Sequence, residues 1–229
     1  MSHRDAGEGL PVSISTEAGT MFGNLAIPDG AQGIVLFAHG SGSSRFSPRN
    51  RFVARVLRDA GLATLLFDLL TEAEERRDEL TAELRFDVEL LAARLIAASD
   101  WVRAVPETRH LRIGYFGSST GAAAALIAAA MRPDGDVFAV VSRGGRPDLA
   151  VTILPQVRAP TLLIVGGADY PVIEMNRKAL AALECEKDLV IIPGATHLFE
   201  EPGTLEEVAK QAGNWFASHV AEKMEPAPV

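Results

Sequence analysis

Residues 113–126 constrain this chain more than any other stretch. An apolar run ends in Gly117-Ser118-Ser119-Thr120-Gly121 and passes at once into the alanine-rich run Ala122-Ala123-Ala124-Ala125-Leu126. A buried strand joined directly to a helix must reverse within a few residues, and so tight a reversal leaves no room for Cβ atoms beside it. Gly117 and Gly121 stand on either side of the turn, with Ser119 at its apex. The helix that follows aims free N–H groups and a positive dipole end at the Ser119 hydroxyl. Ser119 is therefore the candidate nucleophile. Ser118 takes that place if the turn is shifted by one residue, but the glycines then flank it unequally.

The other segments supply the frame for such an elbow. Residues 12–15 and 21–27 read as two short strands turning at Glu17-Ala18-Gly19, and residues 34–38 as a strand buried on both faces. His39-Gly40-Ser41-Gly42 follows as a loop. Ser47 and Pro48 open a helix that carries Phe52, Val53, Val56, Leu57 and Ala60 and closes at Gly61. A strand over 62–67 ends at Asp68. Thr71 and Glu74 form a capping box for one long helix with Leu80, Leu84, Val88, Leu91, Leu95 and Val102 on a stripe. Its acidic first turns suit a solvated face and the helix dipole better than a metal site. Further strands are predicted over 111–116, 137–141, 161–165 and 189–192, and a helix over 172–183. Thr204 and Glu207 read as a second capping box, opening a helix with Leu205, Val208, Ala209, Ala212, Trp215 and Phe216 on its apolar side. Strands alternating with helices imply a mostly parallel sheet covered on both sides.

Length and charge narrow the function classes. A chain of 229 residues, 48% of them hydrophobic, suits one domain over 1–229, with flexible tails at 1–10 and 223–229. A net charge of −8 argues against a broad nucleic-acid surface. The single cysteine, Cys185, rules out an internal disulfide and suits a reducing compartment. No apolar leader core and no membrane-length apolar run occur, so a cytoplasmic location is expected.

A serine hydroxyl needs a base, and the base needs an orienting acid. The strand over 161–165 is followed by Gly166-Gly167-Ala168-Asp169, and the strand over 189–192 by Pro193-Gly194-Ala195-Thr196-His197. Asp169 and His197 thus follow Ser119 in the order serine, acid, histidine, each behind a buried strand. Asp148 is the rival acid, with Glu174 behind it. Glu200 and Glu201 read as loop or helix-entry residues. The oxyanion donors fall on the backbone N–H groups of Thr120 and Ser41, and His39 is a support for that loop.

These motifs, His39-Gly40-Ser41-Gly42, Gly117–Gly121, Gly166–Asp169 and Gly194-Ala195-Thr196-His197-Leu198-Phe199, resemble the α/β-hydrolase superfamily over essentially the whole chain. Within it the chain resembles the dienelactone hydrolase family. The resemblance implies an α/β-hydrolase fold with a mostly parallel sheet of about eight strands and no separate cap domain. The family's namesake carries cysteine at the elbow, whereas this chain has Ser119, which points to ordinary carboxylic esters. Cys185 lies at the end of a predicted helix, far from the elbow. The expected activity is hydrolysis of small esters or lactones through an acyl-enzyme, without metal or cofactor. Catalytically weak ligand binding and acyl transfer to another acceptor are the alternatives. Arg143, Arg146 and Arg45 are candidates for holding an anionic substrate group, with Arg49 and Arg85 as further basic linings. Surface pairing of Arg143 or Arg146 with Asp148 is the competing reading. A small-molecule substrate and a homodimer are the expected partners, with neither nucleic acid nor membrane.

Overall fold

The structure, a computed structural model, describes residues 9–221. The expected tails fall outside that range except for Gly9 and Leu10, and Leu10 already opens a strand. Eight strands form one sheet: β1 (Leu10–Thr16), β2 (Gly19–Ala26), β3 (Gly33–Ala38), β4 (Ala63–Phe67), β5 (Arg112–Ser118), β6 (Val137–Arg143), β7 (Thr161–Gly166) and β8 (Lys187–Ile192). Their order across the sheet is β1-β2-β4-β3-β5-β6-β7-β8. The β1–β2 and β2–β4 pairs are antiparallel and the other pairs are parallel. Every residue of β3, β4, β6 and β7 is buried, which is why these segments are continuous apolar runs rather than alternating ones.

Among the described residues there are six α-helices: α1 (Pro48–Asp59), α2 (Glu72–Thr81), α3 (Val88–Ala104), α4 (Thr120–Met131), α5 (Tyr170–Ala182) and α6 (Thr204–Val220), all but the largely exposed α2 packed on the sheet. One face packs Val53, Ala54 and Leu57 of α1 with Val208, Ala212 and Phe216 of α6. The other packs Leu91 and Leu95 of α3, the alanines of α4 and Ala179 of α5. No separate cap domain stands among the described residues, and no helix there is long and apolar enough to cross a membrane.

Two expectations about helices fail for local reasons. The single helix predicted from Thr71 to Val102 is two helices. Ala82 takes a left-handed conformation (φ 54°) after α2, and a short 3-10 turn over Leu84–Phe86 precedes α3. The buried Asp78 carboxylate draws the chain aside, accepting from the amides of Leu84 (2.7 Å) and Arg85 (3.0 Å) and from Arg85 Nε (2.6 Å). Leu80, placed on the apolar stripe by spacing, is 89% exposed. The capping box at Thr204 is also absent. Gly203 is the N-cap, Thr204 Oγ1 donates to the Glu201 carbonyl, and Glu207 accepts from Gln211. The box at Thr71 and the Ser47 cap are present as expected.

Candidate active site

Ser119 lies between β5 and α4 with φ 51° and ψ −119°. A serine at positive φ is strained by about 1–3 kcal/mol and persists only where its surroundings enforce it. The enforcement is visible. A Cβ on Gly117 would lie 2.4 Å from Ala122 Cα, and one on Gly121 would lie 2.2 Å from the Ala38 carbonyl oxygen. The Arg143–Arg146 loop braces the turn from outside: the Ser119 amide donates to the Arg143 carbonyl (3.2 Å), and the Arg146 amide donates to the Ser119 carbonyl (3.1 Å). Sequence reasoning took this loop for its arginine side chains and missed the backbone strap. Its Gly-Gly pair was the available signal. Ser118, the alternative nucleophile, is buried and donates to Asn50 Oδ1 at 3.1 Å.

Asp169 and His197 come together because the loops behind β7 and β8 run almost in contact. Ala168 donates to the Ala195 carbonyl at 2.9 Å and Gly167 to the Ile192 carbonyl at 2.8 Å. The result is a 2.7 Å hydrogen bond between His197 Nδ1 and Asp169 Oδ2. The Asp169 side chain is largely shielded and the His197 ring is half-exposed. Gly144 lies under that ring: a Cβ there would stand 3.5 Å from His197 Nδ1 and Cε1. The histidine loop is itself tied down by Glu201, which accepts from the amide and hydroxyl of Thr196 at 3.0 and 2.7 Å. The rival acids are engaged elsewhere. Asp148 takes two hydrogen bonds from Arg146, Glu174 pairs with Arg177, and Glu200 with Arg49.

The His39–Gly42 loop runs beside Ser119, where a Cβ on Gly40 would lie 3.1 Å from Ser119 Cβ. The Ser41 amide donates to Thr120 Oγ1 at 3.0 Å. His39 is buried beneath this loop. Its Nε2 accepts from the Leu69 amide at 3.1 Å, so Nδ1 carries the proton and donates to the Gly40 carbonyl at 3.0 Å. Burial holds its pKa below the ordinary value, against the opposing pull of the Gly40 carbonyl and Asp68.

The arginines separate into two groups. Arg45 is held by Asp68 through backbone and side chain and lies 4.3 Å over the Phe46 ring. Arg85 is held by Asp78, and Arg146 by Asp148 as the surface-pairing reading describes. Arg143 is different: it is buried, not paired with Asp148, and its Nη1 has no hydrogen-bond partner among the described residues. Cys185 is half-buried beyond α5, 3.8 Å from Thr161 Oγ1, and burial raises its thiol pKa. No group of three or more His, Cys, Asp or Glu among the described residues is arranged to hold a metal ion.

Comparison with known proteins places the chain. The sequence profile of the dienelactone hydrolase family matches residues 21–222. A dienelactone hydrolase structure from Anabaena variabilis superposes with a TM-score of 0.90 at 63% identity, covering 92% of this chain and 97% of that one. A lidless α/β serine hydrolase from Xanthomonas campestris shares the fold at a TM-score of 0.73 and 21% identity, covering 94% of this chain and 97% of that one. A Mycobacterium tuberculosis protein provisionally named a phosphoribosyl transferase is 59% identical over 198 residues, 86% of this chain and 44% of its own length. The chain thus spans less than half of that curated relative.

Proposed function

The chain belongs to the dienelactone hydrolase family, and from that premise we propose that it is a serine hydrolase cleaving small carboxylic esters or lactones through an acyl-enzyme. The observation that carries this reading is the 2.7 Å Asp169–His197 pair held against the strap that braces Ser119. A carboxylate only accepts, so His197 Nδ1 is the protonated nitrogen and Nε2 keeps the lone pair that serves as base.

In this reading His197 Nε2 takes the Ser119 proton as the hydroxyl attacks the ester carbonyl. The amides of Thr120 and Ser41 receive the oxyanion, Ser41 exchanging its bond to Thr120 Oγ1 for one to substrate. The alkoxide leaves with the proton from His197. Water, deprotonated by the same nitrogen, then hydrolyses the acyl-enzyme and regenerates Ser119. Asp169 fixes the tautomer and stabilises the imidazolium. Phosphoribosyl transfer is not carried over, because the name belongs to a protein of which this chain matches less than half.

The test is Ser119→Ala assayed on p-nitrophenyl acetate with its fold checked by circular dichroism. Turnover should vanish with the fold retained; undiminished turnover would exclude Ser119. A fluorophosphonate should add to the peptide carrying Ser119 and to no other.

A further inference from the structure

We propose that Arg143 and Arg49 form an anion-binding site beside the Ser119 elbow, shaped for a phosphate or carboxylate group. Arg143 closes β6 and is 8% exposed, and its buried Nη1 meets no hydrogen-bond acceptor among the described residues. A guanidinium carries five donors and a fixed charge, and one this buried is normally found against a carboxylate. Four less buried arginines, Arg45, Arg85, Arg132 and Arg146, each have an acidic partner. Among the described residues Arg143 has none.

Arg49 adds a second charge at the same place. In the sheet Arg143 lies opposite Ser118, Ser118 Oγ reaches Asn50, and Arg49 precedes Asn50 in the first turn of α1. Arg49 Nε is also buried without a hydrogen-bond partner among the described residues. Its Nη1 reaches Glu200 at 3.2 Å, but that carboxylate is 63% exposed and largely spent on solvent. The two guanidinium charges oppose each other: burial first, and then Arg49, push the Arg143 pKa down to about 10. The positive end of the α1 dipole lies at the same end of the helix. A buried guanidinium facing a second, partly buried one, whose only acid is exposed, in a chain of net charge −8, is an arrangement that an oxyanion completes.

The site is built into the frame of the nucleophile, since the Arg143 carbonyl accepts from the Ser119 amide. An anionic group held by Arg143 is thus carried on a residue whose backbone touches that of the nucleophile. The ligand class is therefore an ester or lactone bearing a carboxylate or phosphate, or the free anion itself. The substrate-borne case rests on the serine-hydrolase reading; anion binding does not.

Inorganic phosphate is the probe, with thermal unfolding of the full chain followed at constant ionic strength. Phosphate should raise the melting temperature of the wild type and of Ser119→Ala by at least about 2 °C, and leave Arg143→Met unmoved. Without phosphate, Arg143→Met should melt no lower than wild type, because methionine keeps the stem and removes an unpartnered charge. Arg143→Lys should retain part of the response. In a second arm, kcat/KM is compared for a p-nitrophenyl ester with a free carboxylate on its acyl chain and for its neutral methyl ester. The wild-type preference for the anionic ester should shrink tenfold or more in Arg143→Met. A phosphate response without ester preference supports the site and assigns it to a free anion. A phosphate response that survives in Arg143→Met, or no response together with no ester preference, overturns the proposal. Loss of the hydrolase reading would show instead as unchanged turnover in Ser119→Ala, with the phosphate response intact.

Discussion

The Ser41 amide donates to the Thr120 hydroxyl at 3.0 Å, so the two residues proposed to receive an oxyanion also hold each other. This bond sets the position of the Ser41 donor relative to α4. Thr120→Val removes the acceptor while keeping both amides. We expect kcat on p-nitrophenyl acetate to fall about tenfold with KM little changed, less than the ~10²–10³ of deleting a donor outright. Steady-state kinetics would check it, and an unchanged kcat would show that the hydroxyl does not position the loop.

Asp169 and Asp148 are separated by their partners. Asp169→Asn keeps the shape but lets the His197 tautomer reverse, and kcat should drop by a factor on the order of 10⁴. Asp148→Asn should alter kcat by less than about twofold, since it disturbs only an exposed pair with Arg146. Parallel assays of the two variants decide between them; the opposite ranking would reassign the acid.

Two glycine substitutions should move stability in opposite directions. At Gly121 an added Cβ meets the carbonyl oxygens of Ala38 and His39 at 2.2 and 2.4 Å, with backbone that cannot step aside. Gly121→Ala should cost about 3 kcal/mol or more in urea unfolding. At Gly213, inside α6, the nearest atom is Leu57 Cδ2 at 3.8 Å. Gly213→Ala should add about 0.5–1 kcal/mol by restricting the unfolded chain and favouring helix.

His39 gives stability a pH dependence. Its folded pKa lies below the ordinary 6.5, so between those two values the unfolded chain binds more protons than the folded one. Stability therefore rises with pH through that window and falls as pH drops below about 6.5. In His39→Gln the side-chain oxygen can still accept from Leu69, but nothing titrates. Urea unfolding at pH 5, 6 and 7 should show a shallower slope for this variant, by up to one proton; equal slopes would mean that His39 does not contribute.

The parts of the molecule legible from sequence are those where one local rule acts alone. The runs 34–38 and 161–165 could only be strands buried on both faces, and Gly117 and Gly121 mark a turn without space. The candidate site was read from residues that follow such strands directly, and the structure brings two of them, Asp169 and His197, to 2.7 Å. What escaped depends on distant or backbone contacts. Spacing alone joined Leu80 to Leu84, whereas the Asp78 carboxylate gathers the Leu84 and Arg85 amides and ends α2. At Thr204 the pattern of a cap is present, yet the left-handed Gly203 moves the helix start by one residue. The Arg143–Arg146 loop advertised its cations; its Gly144-Gly145 pair marked a tight backbone, but not that its peptide groups clasp Ser119 or that Arg146 rather than Arg143 finds an acid.

The residues proposed to act together leave β3, β5, β7 and β8, and the first two strands are neighbours in space but not in sequence. Ser41 and Thr120 meet across 79 residues, and Asp169 meets His197 across 28. No local hairpin or helix pair contains a working subset of them. Recovery of esterase activity during refolding should consequently trail the return of secondary structure, because it reports closure of the whole sheet rather than of any one segment.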